Sequence, residues 1–439
     1  MHKLNHLHLP GGVITARTDR RLVRAAARSE RFLVIDVTAP TVERDPSRSR
    51  PPVNIAFVLD RSGSMGGRGK LALAKQAVLE AIARLEDRDR FSVVVYDNEV
   101  DVVVPATEAG ATARREAAQR LARIDARGST ALHGGWLAGC EQVAKGLASE
   151  GVNRALLLTD GLANVGLRDP DKLAAEAARL RARGIATSTL GVGTDFDEEL
   201  LTAMADQGGG HFYFAGDVAQ MRDHISSEVG DTLEVVARDV VIHVRVPAGV
   251  DVETLSPFRM ERVSGGVEIH LGDLVSGQQV SIALMLRLAT GVIGAVVDAI
   301  VGGRDREGWF TPTAAGEGAE ARVSWTYADH DANDVQERDV EVTRLVQRLG
   351  MEDFKRRSVR MNREGRYAEA QAGFASMSRA IAAMAEGDEE LAEMSREAME
   401  YSARMSAPMP EMARKLEYAR SANVLRQRTE DGKARKGDA

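Results

Sequence analysis

Hydrophobic and polar positions divide the chain into four regions, and the pattern is clearest in residues 53–233. Residues 53–59 form an almost continuous apolar run, which is typical of a strand buried on both faces. Residues 71–85 carry apolar side chains at the spacing of an amphipathic helix. The alternation continues, with strands predicted at 91–96, 100–104, 155–159, 185–192 and 211–214 and helices at 111–124, 132–147, 170–184, 198–205 and 218–233. Strands that alternate with helices predict an α/β domain over residues 50–233 with a mainly parallel central sheet.

Residues 235–330 change to a β pattern. Stretches with a period of two are separated by glycine-containing turns, and strands are predicted at 240–246, 267–271, 280–288 and 321–327. This pattern predicts a small all-β sandwich. Residues 1–49 add two strand-like stretches, 12–15 and 32–37, but have no hydrophobic core of their own. We therefore hypothesise that residues 1–49 belong to the sandwich and that the α/β domain is inserted between its strands.

Residues 336–427 have the pattern of a helical region. The segment 365–370, Gly-Arg-Tyr-Ala-Glu-Ala, has the pattern of a turn followed by the start of another helix, as between the helices of tetratricopeptide-like pairs. The rest of that repeat pattern is missing, so a plain helical hairpin or bundle is the preferred interpretation and the repeat is the alternative. Residues 428–439 are rich in Gly, Lys and Asp, and we expect them to be disordered.

Composition narrows the class of protein. The 439 residues are 44% hydrophobic and 28% charged, as in a globular chain of two to four domains. The net charge of −7 gives no basic excess, so we expect no nucleic-acid partner. The single cysteine, Cys140, excludes an intramolecular disulfide and a cysteine zinc site. Neither a long apolar run nor a leader-like N-terminus is present, so we expect no membrane span and a cytoplasmic protein.

The segment Asp60-Arg-Ser62-Gly-Ser64 is the strongest chemical signal in the sequence. It follows a predicted buried strand, and open α/β sheets bind ligands beyond the carboxyl ends of their strands. One carboxylate and two hydroxyls at alternating positions can point to the same side of a loop. Oxygen ligands of this kind suit a hard cation such as Mg²⁺. The alternative is that Asp60 caps the next helix and the serines form a turn.

This segment resembles the metal-ion-dependent adhesion site of von Willebrand factor type A (VWA) domains, whose first loop reads Asp-x-Ser-x-Ser. The resemblance covers residues 53–233 and implies a Rossmann-like fold. The family's later threonine and aspartate loops match Thr130 in Gly-Ser-Thr and Asp160 in Thr-Asp-Gly. The resemblance implies that a metal contacts three hydroxyls and is bound by two carboxylates directly or through water, the full set being Asp60, Ser62, Ser64, Thr130 and Asp160. Mg²⁺ is the expected ion, with Mn²⁺ and Ca²⁺ as alternatives.

The whole arrangement is similar to a bacterial group of VWA proteins related to the inter-alpha-trypsin-inhibitor heavy-chain type. A cation held by at most two carboxylates keeps an open position, which an Asp or Glu of a partner protein fills in this family. The resemblance thus implies a metal-dependent protein-binding adaptor or scaffold. The alternative is a recruiting subunit of a larger enzyme, of a MoxR-type AAA+ ATPase assembly or of a defence assembly, with catalysis on another chain.

We expect no catalytic activity from this chain. The sequence lacks a Gly-x-Ser-x-Gly nucleophile elbow and a His-Glu-x-x-His motif. Residues 66–70, Gly-Gly-Arg-Gly-Lys, resemble a phosphate loop in composition but lack the hydroxyl residue after the lysine. A metal-dependent hydrolase and a vestigial site are the remaining alternatives. Near the motif, Asn164 and His133 are expected to be ordinary surface residues, whereas Met65 fits either the core or an apolar collar around the site.

Overall fold

The computed structural model describes residues 12–42, 50–310, 320–429 and 432–436. The chain divides into two compact units. A β unit comprises Met1–Ser49, Val235–Gly350 and Ala434–Ala439, and an α/β unit comprises Arg50–Glu234 and Met351–Lys433. Among the described residues, no helix is both long enough and apolar enough to cross a membrane.

The described part of the chain forms strands in both units. In chain order they are β1 (Val13–Thr18), β2 (Leu22–Arg24), β3 (Ser29–Thr38), β4 (Val53–Asp60), β5 (Arg90–Tyr96), β6 (Val100–Glu108), β7 (Val152–Gly161), β8 (Ala186–Asp195), β9 (Gly209–Ala215), β10 (Val235–Arg245), β11 (Asp251–Thr254), β12 (Arg259–Val263), β13 (Gly266–Val275), β14 (Gln279–Leu288), β15 (Val296–Arg304) and β16 (Ala321–Ala328).

The helices of the described part are α1 (Lys70–Ala83), α2 (Ala111–Ala122), α3 (Leu132–Lys145), α4 (Pro170–Ala182), α5 (Glu198–Gln207), α6 (Val218–Leu233), α7 (His330–Val335), α8 (Val340–Arg363), α9 (Tyr367–Ala382), α10 (Glu389–Arg404) and α11 (Glu411–Leu425). The boundary between the two units falls within α8.

The α/β unit is built on a six-stranded sheet in the order β6-β5-β4-β7-β8-β9. All neighbours are parallel except β5 and β6, which form an antiparallel hairpin. Every residue of β4 is buried, because helices cover both faces of a sheet of this kind. This confirms the Rossmann-like α/β fold. Leu59 of β4 pairs with Leu158 of β7, so Asp60 and Thr159 meet at the carboxyl edge of the sheet.

The β unit contains two sheets. The smaller has the order β1-β3-β14-β11 and the larger the order β12-β13-β10-β15-β16-β2. Their side chains share one core, which includes Leu33 and Leu284 from the smaller sheet and Ile242 and Trp325 from the larger. Strands from the first 49 residues thus take part in both sheets.

Four strands of the β unit, β2, β11, β12 and β15, were not predicted from the sequence. Three of them have only three to five residues, too few to show a period. The fourth, β15, contains Gly302 and Gly303, which resemble a turn in the sequence. A β-carbon on Gly302 would lie 2.3 Å from Nε2 of His243, so the glycine is needed for close packing inside a strand.

The helical region is not a separate unit, because residues from Met351 onward belong to the α/β unit. Tyr418, Ala419 and Ala422 of α11 lie in the same core as Phe212 and Phe214 of β9. The other helices have clusters of their own, such as the one around Phe354, Phe374 and Tyr401. Segment 365–370 is a turn between α8 and α9 followed by the first residues of α9.

The expectation of a disordered tail from residue 428 does not hold for the described residues of that segment. Arg428 is 3% exposed, and its guanidinium donates to Asp231 at 2.5 Å. Gln278 forms an isolated bridge with Lys436 within the β unit. Charged side chains made this tail look disordered, but Arg428 is buried and has a carboxylate partner, Asp231, that no local pattern reveals. Residues 430, 431 and 437–439 of the predicted tail lie outside the described residues.

Arg428 belongs to a buried polar network around Glu228. The Glu228 carboxylate accepts hydrogen bonds from Arg154 at 2.6 Å, Ser188 at 2.6 Å and Tyr213 at 2.8 Å. His211 lies between Glu228 (Nδ1, 3.1 Å) and Arg428 (Nε2, 2.7 Å). Because a guanidinium only donates, Nε2 of His211 is the acceptor and Nδ1 carries the proton. Burial and the charge of Arg428 lower the pKa of His211 to about 3.

The neutral state of His211 predicts that acid destabilises the α/β unit. The pKa in the folded state, about 3, lies below the ordinary value of 6.5, so only the unfolded chain takes up this proton as the pH falls below 6.5. Stability should fall by about 2 kcal/mol between pH 6.5 and 5. Native-state hydrogen exchange of the β8 amides would measure this loss for the unit alone. His211→Gln should make the stability of the α/β unit depend less on pH. His330→Gln, at an exposed histidine of the β unit, should leave this pH dependence unchanged. If stability fell equally with pH in wild type and both variants, His211 would not be its cause.

Candidate metal site

The first loop of the candidate site starts at the buried end of β4. Asp60 is fully buried, and its carboxylate is fixed by two neutral donors. The amide of Ser62 donates to Oδ1 at 2.8 Å, and the hydroxyl of Thr159 donates to Oδ2 at 2.7 Å. The loop then continues as a short 3₁₀ turn, Gly63–Gly69. Asp60 does not cap the next helix, since α1 begins only at Lys70.

A chain of hydrogen bonds joins this loop to the end of β7. The hydroxyl of Ser64 donates to Oδ1 of Asp160 at 2.6 Å, and the two serine Oγ atoms lie 3.0 Å apart. Because Ser64 gives its only hydroxyl hydrogen to Asp160, Ser62 is the donor to Ser64. Asp160 is 1% exposed. The polar groups of the first and third loops are therefore already gathered in one place.

Thr130 comes to the same edge from the loop before α3. Its amide donates to Oδ1 of Asn164 at 2.8 Å, and the residue is 3% exposed. A β-carbon built on Gly161 would lie 3.4 Å from Oγ1 of Thr130 and 3.7 Å from Oγ of Ser64. Both hydroxyls therefore flank the backbone of Gly161. The structure brings together all five residues singled out in the sequence, Asp60, Ser62, Ser64, Thr130 and Asp160.

Backbone hydrogen bonds hold the first and second loops together. The amide of Gly63 donates to the carbonyl of Gly128 at 3.1 Å, and that of Arg127 donates to Arg61 at 2.7 Å. Gly128 has a φ of +69°, and a β-carbon there would lie 2.2 Å from Oδ1 of Asn98. Only glycine fits this position, both for its backbone conformation and for the close approach.

A buried carboxylate under the loops completes this support. Asp97 is fully buried and accepts from Arg61 at 3.0 Å and from Arg127 at 2.8 Å. Burial alone would raise the pKa of Asp97, but the amide of Glu99 and the two guanidinium groups hold the pKa below its usual range. Arg61, Asp97 and Arg127 were not predicted from the sequence, and Thr159 was predicted only as part of a motif. Their partners are too far away in the chain for any local pattern to show.

The other residues considered near the motif have ordinary roles. Asn164 positions Thr130 through the hydrogen bond described above, and His133 pairs with Glu176 at 2.8 Å. Met65 is fully buried, which favours the core over an apolar collar. Cys140 is also buried, and burial raises the pKa of its thiol to about 12, as expected for a structural cysteine.

The chemistry of the site fits a hard cation. Burial raises the pKa of Asp60 to about 6, and the charge of nearby Asp160 acts in the same direction. Two buried carboxylates therefore lie close together, and the described contacts of Asp60 are all with neutral donors. No group of three or more His, Cys, Asp or Glu side chains in the described part of the chain could hold a metal. The donors are oxygens, three of them hydroxyls, which is a set suited to a divalent cation.

Residues 54–227 match the family model of the von Willebrand factor type A domain, and the chain therefore contains a domain of this family. The metal-ion-dependent adhesion site of VWA domains is a divalent-metal motif. The uncharacterized protein YfbK of Escherichia coli is 28% identical over 249 residues, 55% of this chain and 43% of that protein. The uncharacterized protein sll0103 of Synechocystis is 30% identical over 283 residues, 62% of this chain and 65% of that protein. The chain thus spans less than two thirds of each relative.

A solved structure, the von Willebrand factor type A protein from Catenulispora acidiphila, is similar in fold. The similarity has a TM-score of 0.67 at 18% identity and covers 93% of this chain and 100% of that chain. It supports the fold of the sheets and helices described above.

Proposed function

We propose that the VWA domain of this chain binds one divalent cation, most suitably Mg²⁺, and through it a carboxylate of a partner protein. Ser62, Ser64 and Thr130 would contact the cation, and Asp60 and Asp160 would bind it directly or through water. The cation supplies a positive centre with a position left for one further oxygen ligand. In this proposal the chain is an adaptor, and any catalysis belongs to its partner, such as an AAA+ ATPase.

The observation that carries the proposal is the pair of buried carboxylates at the ends of β4 and β7. Each is less than 2% exposed, and the serine hydroxyls lie between them. Carboxylates are rarely left buried unless a cation or hydrogen bonds compensate their charge. A cation bound by these residues keeps a coordination position that a carboxylate oxygen from outside can fill.

The surface beside the site indicates which kind of residue the partner protein has next to its carboxylate. The loop after Asp160 exposes Leu162 and Val165, which are 58% and 40% exposed. The amides of Asn164 and Val165 donate to the carbonyl of Thr130 at 3.2 and 3.3 Å, which fixes this loop against the second loop. Two apolar side chains therefore border the five polar residues. A partner with an apolar residue next to its Asp or Glu would bury both.

The proposal predicts peptide binding that needs both a metal and a carboxylate. Immobilised protein should bind a short peptide with one Glu flanked by Leu in Mg²⁺, and neither the same peptide in EDTA nor the peptide with Gln in place of Glu. Leu162→Ser should weaken binding of the Leu-flanked peptide by roughly fivefold, since part of its apolar contact is lost. Surface plasmon resonance would measure all of these affinities.

The matched control is Leu147→Ser. Leu147 is 45% exposed and lies between α3 and the start of β7, at the opposite edge of the sheet. Its replacement should leave peptide binding unchanged. Binding that persists in EDTA or with the Gln peptide would refute the proposed function.

A further inference from the structure

Lys70 makes a contact at the site that the Asp-x-Ser-x-Ser motif does not include. Its Nζ atom lies 2.5 Å from Oδ2 of Asp160. The Lys70 side chain is 19% exposed, and that of Asp160 is fully buried. The other oxygen of Asp160 accepts from Ser64. Asp160 therefore already has a cationic partner, whereas the described contacts of Asp60 are neutral.

The glycine-rich segment before α1 places Lys70 there. Arg68 and Gly69 have φ values of +53° and +70°, and these two consecutive left-handed residues turn the chain so that α1 begins at Lys70. A left-handed conformation is unfavourable for a residue with a side chain such as Arg68, so the surrounding structure must enforce it. The phosphate-loop-like composition of residues 66–70 thus serves a sharp turn that presents an ammonium group to Asp160.

The backbone near the end of β8 also lies close to the ammonium. Gly193, near the end of β8, has a φ of +76°, and a β-carbon there would lie 3.8 Å from Nζ of Lys70. A second lysine of α1, Lys75, lies outside the site and can serve as a comparison. Its Nζ atom donates to the carbonyl of Ile124 at 2.8 Å.

We propose that Lys70 is a built-in counter-ion of Asp160, which competes with the divalent cation and so sets the affinity of the site. The inference rests on the proposed function, because it concerns the same cation. A carboxylate that is paired with an ammonium offers less negative charge to a second cation, and two positive groups beside one carboxylate repel each other. Lys70 therefore weakens cation binding until an additional anion, the carboxylate of a partner, arrives to compensate the excess positive charge.

The test is isothermal titration of Mg²⁺ into metal-free protein at constant ionic strength. Lys70→Met should bind Mg²⁺ about tenfold more tightly than wild type, because removing one unit of like charge beside the site is an effect of that order. Lys70→Arg keeps the charge and should show no such gain. Lys75→Met, the matched control on the same helix, should bind as wild type does.

Thermal unfolding with and without Mg²⁺ provides a second measurement that does not depend on the titration. In EDTA, Lys70→Met should melt below wild type because Asp160 loses its partner, and Mg²⁺ should raise its melting temperature by more than that of wild type. Equal or weaker Mg²⁺ affinity in a folded Lys70→Met protein would overturn this inference alone. Absence of Mg²⁺ and Mn²⁺ binding in every variant would overturn the inference together with the proposed function.

Discussion

Replacing Asp60 with alanine should abolish detectable Mg²⁺ binding while the α/β unit stays folded. Asp60 is fully buried and supplies one of only two carboxylates among the five candidate ligands, so its loss removes half of the formal negative charge. Substituting groups that merely orient metal ligands already costs 10- to 100-fold in affinity, so we expect a loss of at least about 100-fold. Isothermal titration of Mg²⁺, with circular dichroism as the check of folding, would measure both parts of this result.

The structure also explains why the fold should survive this change. Without Asp60, the amide of Ser62 and the hydroxyl of Thr159 each lose an acceptor, at a cost of roughly 1–3 kcal/mol per group. Removing a carboxylate whose pKa burial has raised offsets part of that cost. Asp101→Ala is the control, since this half-exposed carboxylate pairs with Arg61 beside the site but is not a candidate ligand. One-to-one Mg²⁺ binding retained by Asp60→Ala would show that the cation binds elsewhere.

Replacing Lys415 with alanine should destabilise the α/β unit by about 3–5 kcal/mol. Lys415 of α11 is 2% exposed, and its ammonium contacts the carboxylate of Glu198, which is 3% exposed, and the carbonyl of Phe196. The ammonium also lies 4.3 Å from the centre of the Phe196 ring. The substitution would leave Glu198 with much less compensation in the interior. Hydrogen exchange of the β8 amides in wild type and variant would measure the change.

The double variant Lys415→Met and Glu198→Leu distinguishes two costs in stability, that of leaving Glu198 without its charge partner and that of losing side-chain packing. Because it removes both charges and keeps most of the volume, it should recover most of the stability lost by Lys415→Ala. A loss below about 1 kcal/mol for Lys415→Ala would contradict the predicted cost of leaving the Glu198 carboxylate without its ammonium partner.

Much of the α/β fold could be predicted from the sequence, for a physical reason. β4 and β7 are buried along almost their whole length and contain the apolar runs 55–59 and 155–158, and the helices beside them carry apolar stripes. The short strands β11 and β12 show no such period, and β15 combines strand residues with glycines that fit beneath neighbouring side chains. The position of α11 was not predictable either, because its apolar face shows that it packs but not on what.

The candidate site also has a part that could be predicted from the sequence and a part that could not. Asp60, Ser62 and Ser64 lie within one loop and form a local pattern, and Thr130 and Asp160 follow in the order that the family resemblance leads one to expect. The supporting contacts depend on loops that meet only after folding. Asp97 is 36 residues from Arg61 and 30 from Arg127, and Lys70 is 90 from Asp160. No spacing rule connects such residues, so their roles are visible only in the folded structure.

The way in which the chain divides between the two units has a consequence for its synthesis. β3 pairs with β14 along its full length, from Ser29 with Leu288 to Thr38 with Gln279. At typical rates of translation, β3 leaves the ribosome roughly 12 to 50 s before β14, its second partner strand, exists. The α/β unit also completes its fold late, because α11 is the last of its helices to be synthesised. Until then the apolar side of β3 lacks most of the strands that share its core in the β unit, and a chaperone that shields it would act in this interval.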